Sequence, residues 1–178
     1  MRRVLDTIYS VAGGIAALCL VAILVLVALQ VGARLLDFVL ISLGATPTRF
    51  AVPSLAEIAG FLLAGATFLA LADTLARNVH IRVDLVTQRL PERARQNVDG
   101  IVALLGAGIA LFGAYATGGL ALKSFSYGDV SYGMIAVPLA LPQATLALGL
   151  FILAIALVDE AVLAFRGMDR IAGSGGSV

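Results

Sequence analysis

The sequence predicts an all-α integral membrane protein with four transmembrane helices and a cytoplasmic amphipathic segment between the second and third. Three observations lead there. Stretches 7–33, 100–122 and 130–158 carry no charged residue, and 50–72 carries only Glu57. The charged residues, 13% of a chain that is 61% hydrophobic, are confined to the gaps. A helix crosses a hydrocarbon core of about 30 Å with roughly 20 residues, so each stretch is long enough. Backbone amides cannot stay unpaired in lipid, which makes the stretches helices. The expected single membrane domain covers 1–166, with spans near 9–33, 54–75, 97–122 and 139–161. A disordered Gly/Ser-rich tail is expected over 167–178.

The first helix should run from about residue 7 to 36, longer than the core is thick, so it must tilt or protrude. Arg2 and Arg3 ahead of an apolar run would suit a cleaved signal peptide. The uncharged run, however, exceeds the usual core of about 7–15 residues and offers no small-residue cleavage region over 24–29, so the helix is read as retained. Cys19, the one cysteine, lies within it and reads as a small packing residue. A single thiol excludes a disulfide within the chain and a cysteine zinc cluster. The connection 37–53, with Gly44, Pro47 and Pro53, is placed at the outer surface.

The second helix opens with Ser54-Leu55-Ala56-Glu57, the spacing of a capping box in which Ser caps and Glu reaches back to the capping amide. Glu57 is the only ionisable residue inside an apolar stretch, and an intramembrane carboxylate is by default a functional candidate. As the third residue of a helix it also sits where the helix dipole favours an anion. A cap or partner contact is the favoured reading; proton or ion coupling is the alternative.

The most polar part of the chain is 73–99. Val79, Ile81, Val83 and Leu85 alternate with His80, Arg82 and Asp84, as in a strand, while Val79, Val83, Val86 and Leu90 share one helical face. A lone strand beside a membrane has no edge partner, whereas an amphipathic helix can lie in the interface with its arginines towards phosphates. Helix is favoured for 81–90, with Arg77, Arg82 and Asp84 held against headgroups or a partner subunit. His80, the single histidine, reads as a surface or interface contact.

Pro91 suits the first turn of a third helix reaching to 122. Gly106, Ala110, Ala114 and Gly118 recur on it every four residues, the mark of close helix packing in lipid, with the neighbour either in this chain or in a partner. The next connection repeats Ser-Tyr-Gly at 126–128 and 131–133, and its tyrosines read as interfacial anchors. Pro138 and Pro142 bracket the start of the fourth helix.

Orientation follows from the basic residues beside each span. With four crossings, nine of the twelve Lys and Arg fall on the side of the termini and the middle connection; Arg34, Arg49 and Lys123 fall on the other. Both termini are therefore expected in the cytoplasm. No basic tract exists to grip nucleic acid. One histidine cannot supply the usual pair of axial haem ligands, which disfavours a redox-enzyme anchor. Zinc ligand sets, nucleophile elbows and phosphate loops are missing, so neither a cofactor nor an enzymatic activity is expected. Without buried pairs of ionisable residues, the chain reads as the helper of a transporter.

Residues 57–95, EIAGFLLAGATFLALADTLARNVHIRVDLVTQRLPERAR, add a resemblance. They are similar to the small membrane subunit, DctQ type, of tripartite ATP-independent periplasmic (TRAP) transporters, most specifically in the block His80-Ile81-Arg82-Val83-Asp84. Ser131, Gly133, Val137-Pro138-Leu139 and Leu141-Pro142-Gln143 resemble the family's approach to its fourth helix. The likeness spans about 11–165. Many members carry two acidic residues and a tryptophan near the second helix start; here Ala56 precedes Glu57 and Trp is absent.

The resemblance implies a multi-pass protein of a bacterial or archaeal cytoplasmic (inner) membrane. It implies a non-catalytic small permease subunit of a sodium-coupled system for organic acids, typically carboxylates. The implied partners are a large membrane subunit (DctM type), which holds the transport sites, and a periplasmic solute-binding protein (DctP type), besides membrane lipids. The competing reading is a small multidrug-type homo-oligomeric exporter using Glu57; such exporters need that carboxylate deep in the membrane.

Overall fold

The structure, a computed structural model, describes residues 2–76 and 91–167. Its helices are α1 (Arg2–Ser42), α2 (Leu55–Ala76), α3 (Glu92–Tyr127) and α4 (Ala140–Phe165), each long and apolar enough to cross a bilayer. The amphipathic segment expected at 81–90, with Arg77, His80, Arg82 and Asp84, lies outside the described residues, as does the tail from 168.

Boundaries differ from expectation where the sequence holds no breaker. The outer connection was expected from residue 37, yet α1 continues to Ser42, because 37–42 contains neither Gly nor Pro. Gly44 then takes φ +74°, and the Leu43 and Gly44 amides close the last turn on Val39, Leu40 and Ile41 carbonyls. Pro91 stands just before α3, and its carbonyl accepts from the Ala94 and Arg95 amides. The third helix was expected to stop at 122 but runs to Tyr127, ending at Gly128 with φ +68° and an amide bonded to the Ser124 carbonyl. Pro142 sits in the first turn of α4, where its missing N–H costs nothing.

Packing joins the helices in a row rather than a closed bundle. Extensive contact occurs between α1 and α2, α2 and α4, and α4 and α3; other described pairs touch at isolated positions at most. Tyr9, Ala12 and Ala16 of α1, Ala66, Leu69 and Ala72 of α2, and Ile152 and Ala156 of α4 form one core in the half nearer the N-terminus. Cys19 packs against it, as a small apolar side chain should. Beyond Ala16 no residue of α1 is buried.

Small residues set the two inner contacts. A β-carbon on Gly149 would lie 2.7 Å from the Phe68 carbonyl, so α2 and α4 meet backbone to backbone. One on Gly100 would lie 2.6 Å from the Phe165 ring, and one on Gly113 would lie 3.1 Å from Leu150. Lipid tails are as apolar as the side chains, so dispersion over such close surfaces is what holds membrane helices together. Gly149→Val should therefore lower stability in detergent by about 1–3 kcal/mol. Gly108→Ala, at a position facing open space, should leave the thermal midpoint no lower than that of the wild type.

Candidate partner interface

The stripe Gly106, Ala110, Ala114 and Gly118 turns to α4 of the same chain. Ala110 and Ala114 are buried, and β-carbons on Gly106 and Gly118 would stand 3.4 Å from Leu157 and 3.8 Å from Ala147. Ala103, Ala107, Ala121 and Ser124 extend the buried seam in both directions. The opposite face of α3 is covered by nothing among the described residues: Leu105, Ile109, Phe112 and Tyr115 are exposed, and Gly108 and Gly119 open onto free space.

At the end away from the N-terminus, Glu57, Ser131 and Pro138 belong to one arrangement. The connection 128–139 doubles back as a short hairpin. Val130 and Pro138 form its bridge, the Ser131 amide donates to the Val137 carbonyl, and the Leu139 amide donates to the Asp129 carbonyl. The buried Ser131 hydroxyl accepts from the Val137 amide at 3.1 Å and donates to the Ile135 carbonyl at 3.3 Å. Ser131 thus shapes the hairpin from within, while Pro138, which is exposed, makes the bridge with Val130. Its tip does point outward, with Tyr132 and Met134 almost wholly exposed.

The expected capping box does not form. Ser54 adopts φ +53°, whereas a capping residue needs an extended backbone to aim its oxygen at the first turn. Its hydroxyl instead accepts from the Ile135 amide at 3.0 Å, and its carbonyl accepts from the Glu57 and Ile58 amides. Glu57 leans against the hairpin: a β-carbon on Gly133 would collide with the carboxylate and lie 2.6 Å from Ser54 Oγ. Glu57 Oε2 is buried and makes no hydrogen bond among the described residues. A tertiary contact has replaced the local one, and it clamps the hairpin onto the start of α2.

Two further features are absent from the sequence-based candidates. Tyr9 is 1% exposed, and Asp73 presses on Gly13, where a β-carbon would lie 2.8 Å from the carboxylate carbon. The spacing Tyr9, Ala12, Gly13, Ala16 could have announced the first contact; nothing near Asp73 in the sequence announces the second. The other feature is the return of the first connection along α1. Asp37 accepts from the Thr48 amide and hydroxyl at 2.6 Å each and from the Arg49 amide at 3.0 Å. Gln30 Oε1 accepts from the Val52 amide at 2.7 Å.

The arrangement offers broad apolar faces and a clamped hairpin, and the middle turns of its helices carry no Asp, Glu, Lys, Arg or His. Comparison with known proteins agrees with this character. The family model described as "Tripartite ATP-independent periplasmic transporters, DctQ component" matches residues 23–167. No curated protein and no solved structure matches the chain. Gly133→Ala should displace Glu57 and loosen the hairpin, lowering stability by about 1–2 kcal/mol, with much of that loss absent in a Glu57→Ala background. Thermal melts of the four proteins in one detergent test this coupling.

Proposed function

Since the chain belongs to the DctQ component family of tripartite ATP-independent periplasmic transporters, and so is the small permease subunit of such a system, we propose that it braces a large membrane subunit during sodium-coupled uptake of organic acids. The observation that carries this reading is the open row of helices. A closed four-helix bundle buries its apolar stripes internally, whereas this row leaves the face of α3 away from α4, and most of α1, for neighbours. The absence of charged side chains from the middle turns supports a supporting role, because a coupling-ion path through lipid needs such groups or open backbone. Glu57 lies in the first turn of α2 against a hairpin, an unsuitable depth for the carboxylate of an exporter acting alone.

In this reading the protein is a multi-pass protein of the inner membrane with both termini in the cytoplasm. The Glu57-clamped hairpin and the exposed Tyr132 then face the periplasm, where they would help seat the solute-binding protein. Arg77, Arg82 and Asp84 hold the middle connection against lipid headgroups or the large subunit, and substrate and ions bind elsewhere in the complex.

Co-expression with the large subunit should yield a complex stable in mild detergent, and deletion of this chain should abolish uptake. Uptake that persists without it would refute the proposal. Arg82→Glu should lower the yield of complex, and unchanged assembly would remove that residue from the interface. Tags at either terminus should be reached only after the cytoplasmic membrane is opened, and a tag beside Gly133 should be reached without opening it.

A further inference from the structure

The connection between α1 and α2 reaches the hairpin through a short series of hydrogen bonds. Gln30 Oε1 accepts from the Val52 amide, three residues before α2 begins, so residues 31–42 of α1 overhang the start of α2 by about 18 Å. The returning connection lies along this overhang. Asp37 accepts from the Thr48 amide and hydroxyl through Oδ1 and from the Arg49 amide through Oδ2. Pro53 then joins the Val52 mooring to Ser54. Its ring fixes its own φ and confines the residue before it to extended backbone, so the step from Val52 to Ser54 is stiff. The Ser54 hydroxyl accepts from the Ile135 amide near the tip of the hairpin. Among the described residues this is the hydrogen bond that ties the hairpin to α2. The others stay inside the hairpin or run to Ser124 of α3 and the first turn of α4.

Opposing forces meet at that bond. Arg49 and Ser54 both adopt φ +53°, a conformation that is costly for a residue with a β-carbon and persists only where surrounding contacts impose it. Asp37 imposes it on Arg49, and the Ile135 amide imposes it on Ser54. Beneath the hairpin lies Glu57. Its Oε2 is buried and has no hydrogen-bond donor among the described residues. What covers it is Gly133, where a β-carbon would collide with the carboxylate. A carboxylate oxygen without a donor is better off in water, so its burial works against closure. The cover is one chain thick: Gly133 is itself exposed, and Tyr132 and Met134 are almost wholly so. The hairpin thus meets α2 at Ser54, which favours closure, and at the Glu57 charge, which opposes it.

We infer that residues 129–138 form a lid over the Glu57 carboxylate, latched by the Ser54 hydroxyl, with the returning connection as a strap that holds the latch in place from moorings at Asp37 and Gln30. The lid moves as one piece, because the Val130–Pro138 bridge and the Ser131 bonds lie inside it. Its pivot is Gly128, whose φ of +68° ends α3. Opening gives Glu57 Oε2 to water and releases Ser54 from its strained backbone. Slackening the strap therefore opens a hairpin to which Asp37 itself makes no hydrogen bond. This device goes beyond the proposed function and is tested on the chain alone, so its failure leaves that reading standing.

Amide hydrogen exchange of the full chain in lipid nanodiscs, resolved residue by residue, follows the lid. Removing both moorings, Asp37→Ala with Gln30→Ala, should speed exchange of the Ile135 amide at least about tenfold, although its acceptor Ser54 is untouched. Asp37→Asn, which keeps one side-chain oxygen as an acceptor, should fall between this variant and the wild type. Glu57→Gln, which removes the charge and keeps the shape, should slow Ile135 exchange at least about threefold. A hairpin held shut by the Glu57 charge would respond with the opposite sign. The Val137 amide, bonded inside the lid, and the Ala110 amide of α3 should keep their wild-type rates throughout. Unchanged Ile135 exchange in the mooring variants would overturn the inference. Unchanged or faster exchange in Glu57→Gln, or acceleration of Val137 in step with Ile135, would do the same. Should the double variant lose protection at Ala110 as well, the Asp37→Asn rate decides by the same signs.

Discussion

Close approach of helix backbones, made possible by glycine and alanine, is the interaction on which the rest of this molecule depends. In a bilayer the apolar side chains gain nothing by leaving lipid for one another, so helices associate through dispersion at short range. Gly149 against the Phe68 backbone joins α2 to α4, and the seam from Gly100 through Ala121 joins α3 to α4. Replacing small residues with larger ones at these positions separates the surfaces that do the holding. Elsewhere the same residue types have no such role, since Gly108 and Gly119 face open space.

That economy of small residues explains the shape. Among the described helices, α2 and α4 each pack on two sides, so α2 lies between α1 and α4, and α4 between α2 and α3. Among the described residues no extensive contact draws α1 back onto α3, and the row stays open. An open row has a larger apolar perimeter than a bundle of the same helices, which suits a component that must lie alongside something larger. The family to which the chain belongs, the DctQ component, is one part of a three-part transporter.

At the end away from the N-terminus, polar side chains fix the loops. Asp37 and Gln30 hold the first connection, while Ser54, Glu57 and Ser131 hold the hairpin. Positive φ at Arg49 and Ser54 shows that these connections are held by tertiary contacts against local backbone preference. These contacts tie both connections to the helices at that end of the molecule.

The sequence by itself determined the number of helices, their approximate positions and the family, because the bilayer imposes a length and polarity rule that is read residue by residue. Periodicity likewise exposed the stripe at Gly106, Ala110, Ala114 and Gly118. Only the tertiary structure decided that this stripe meets α4 and not a partner, since Gly108 and Gly119 offered a second face of equal smallness. It also decided the fate of Ser54, whose capping spacing is a local signal overruled by the Ile135 amide from a loop 81 residues away. The overhang of α1 was hidden for the same reason: helix length is written in one segment, but where a neighbour begins beside it is fixed by contacts between segments distant in the chain.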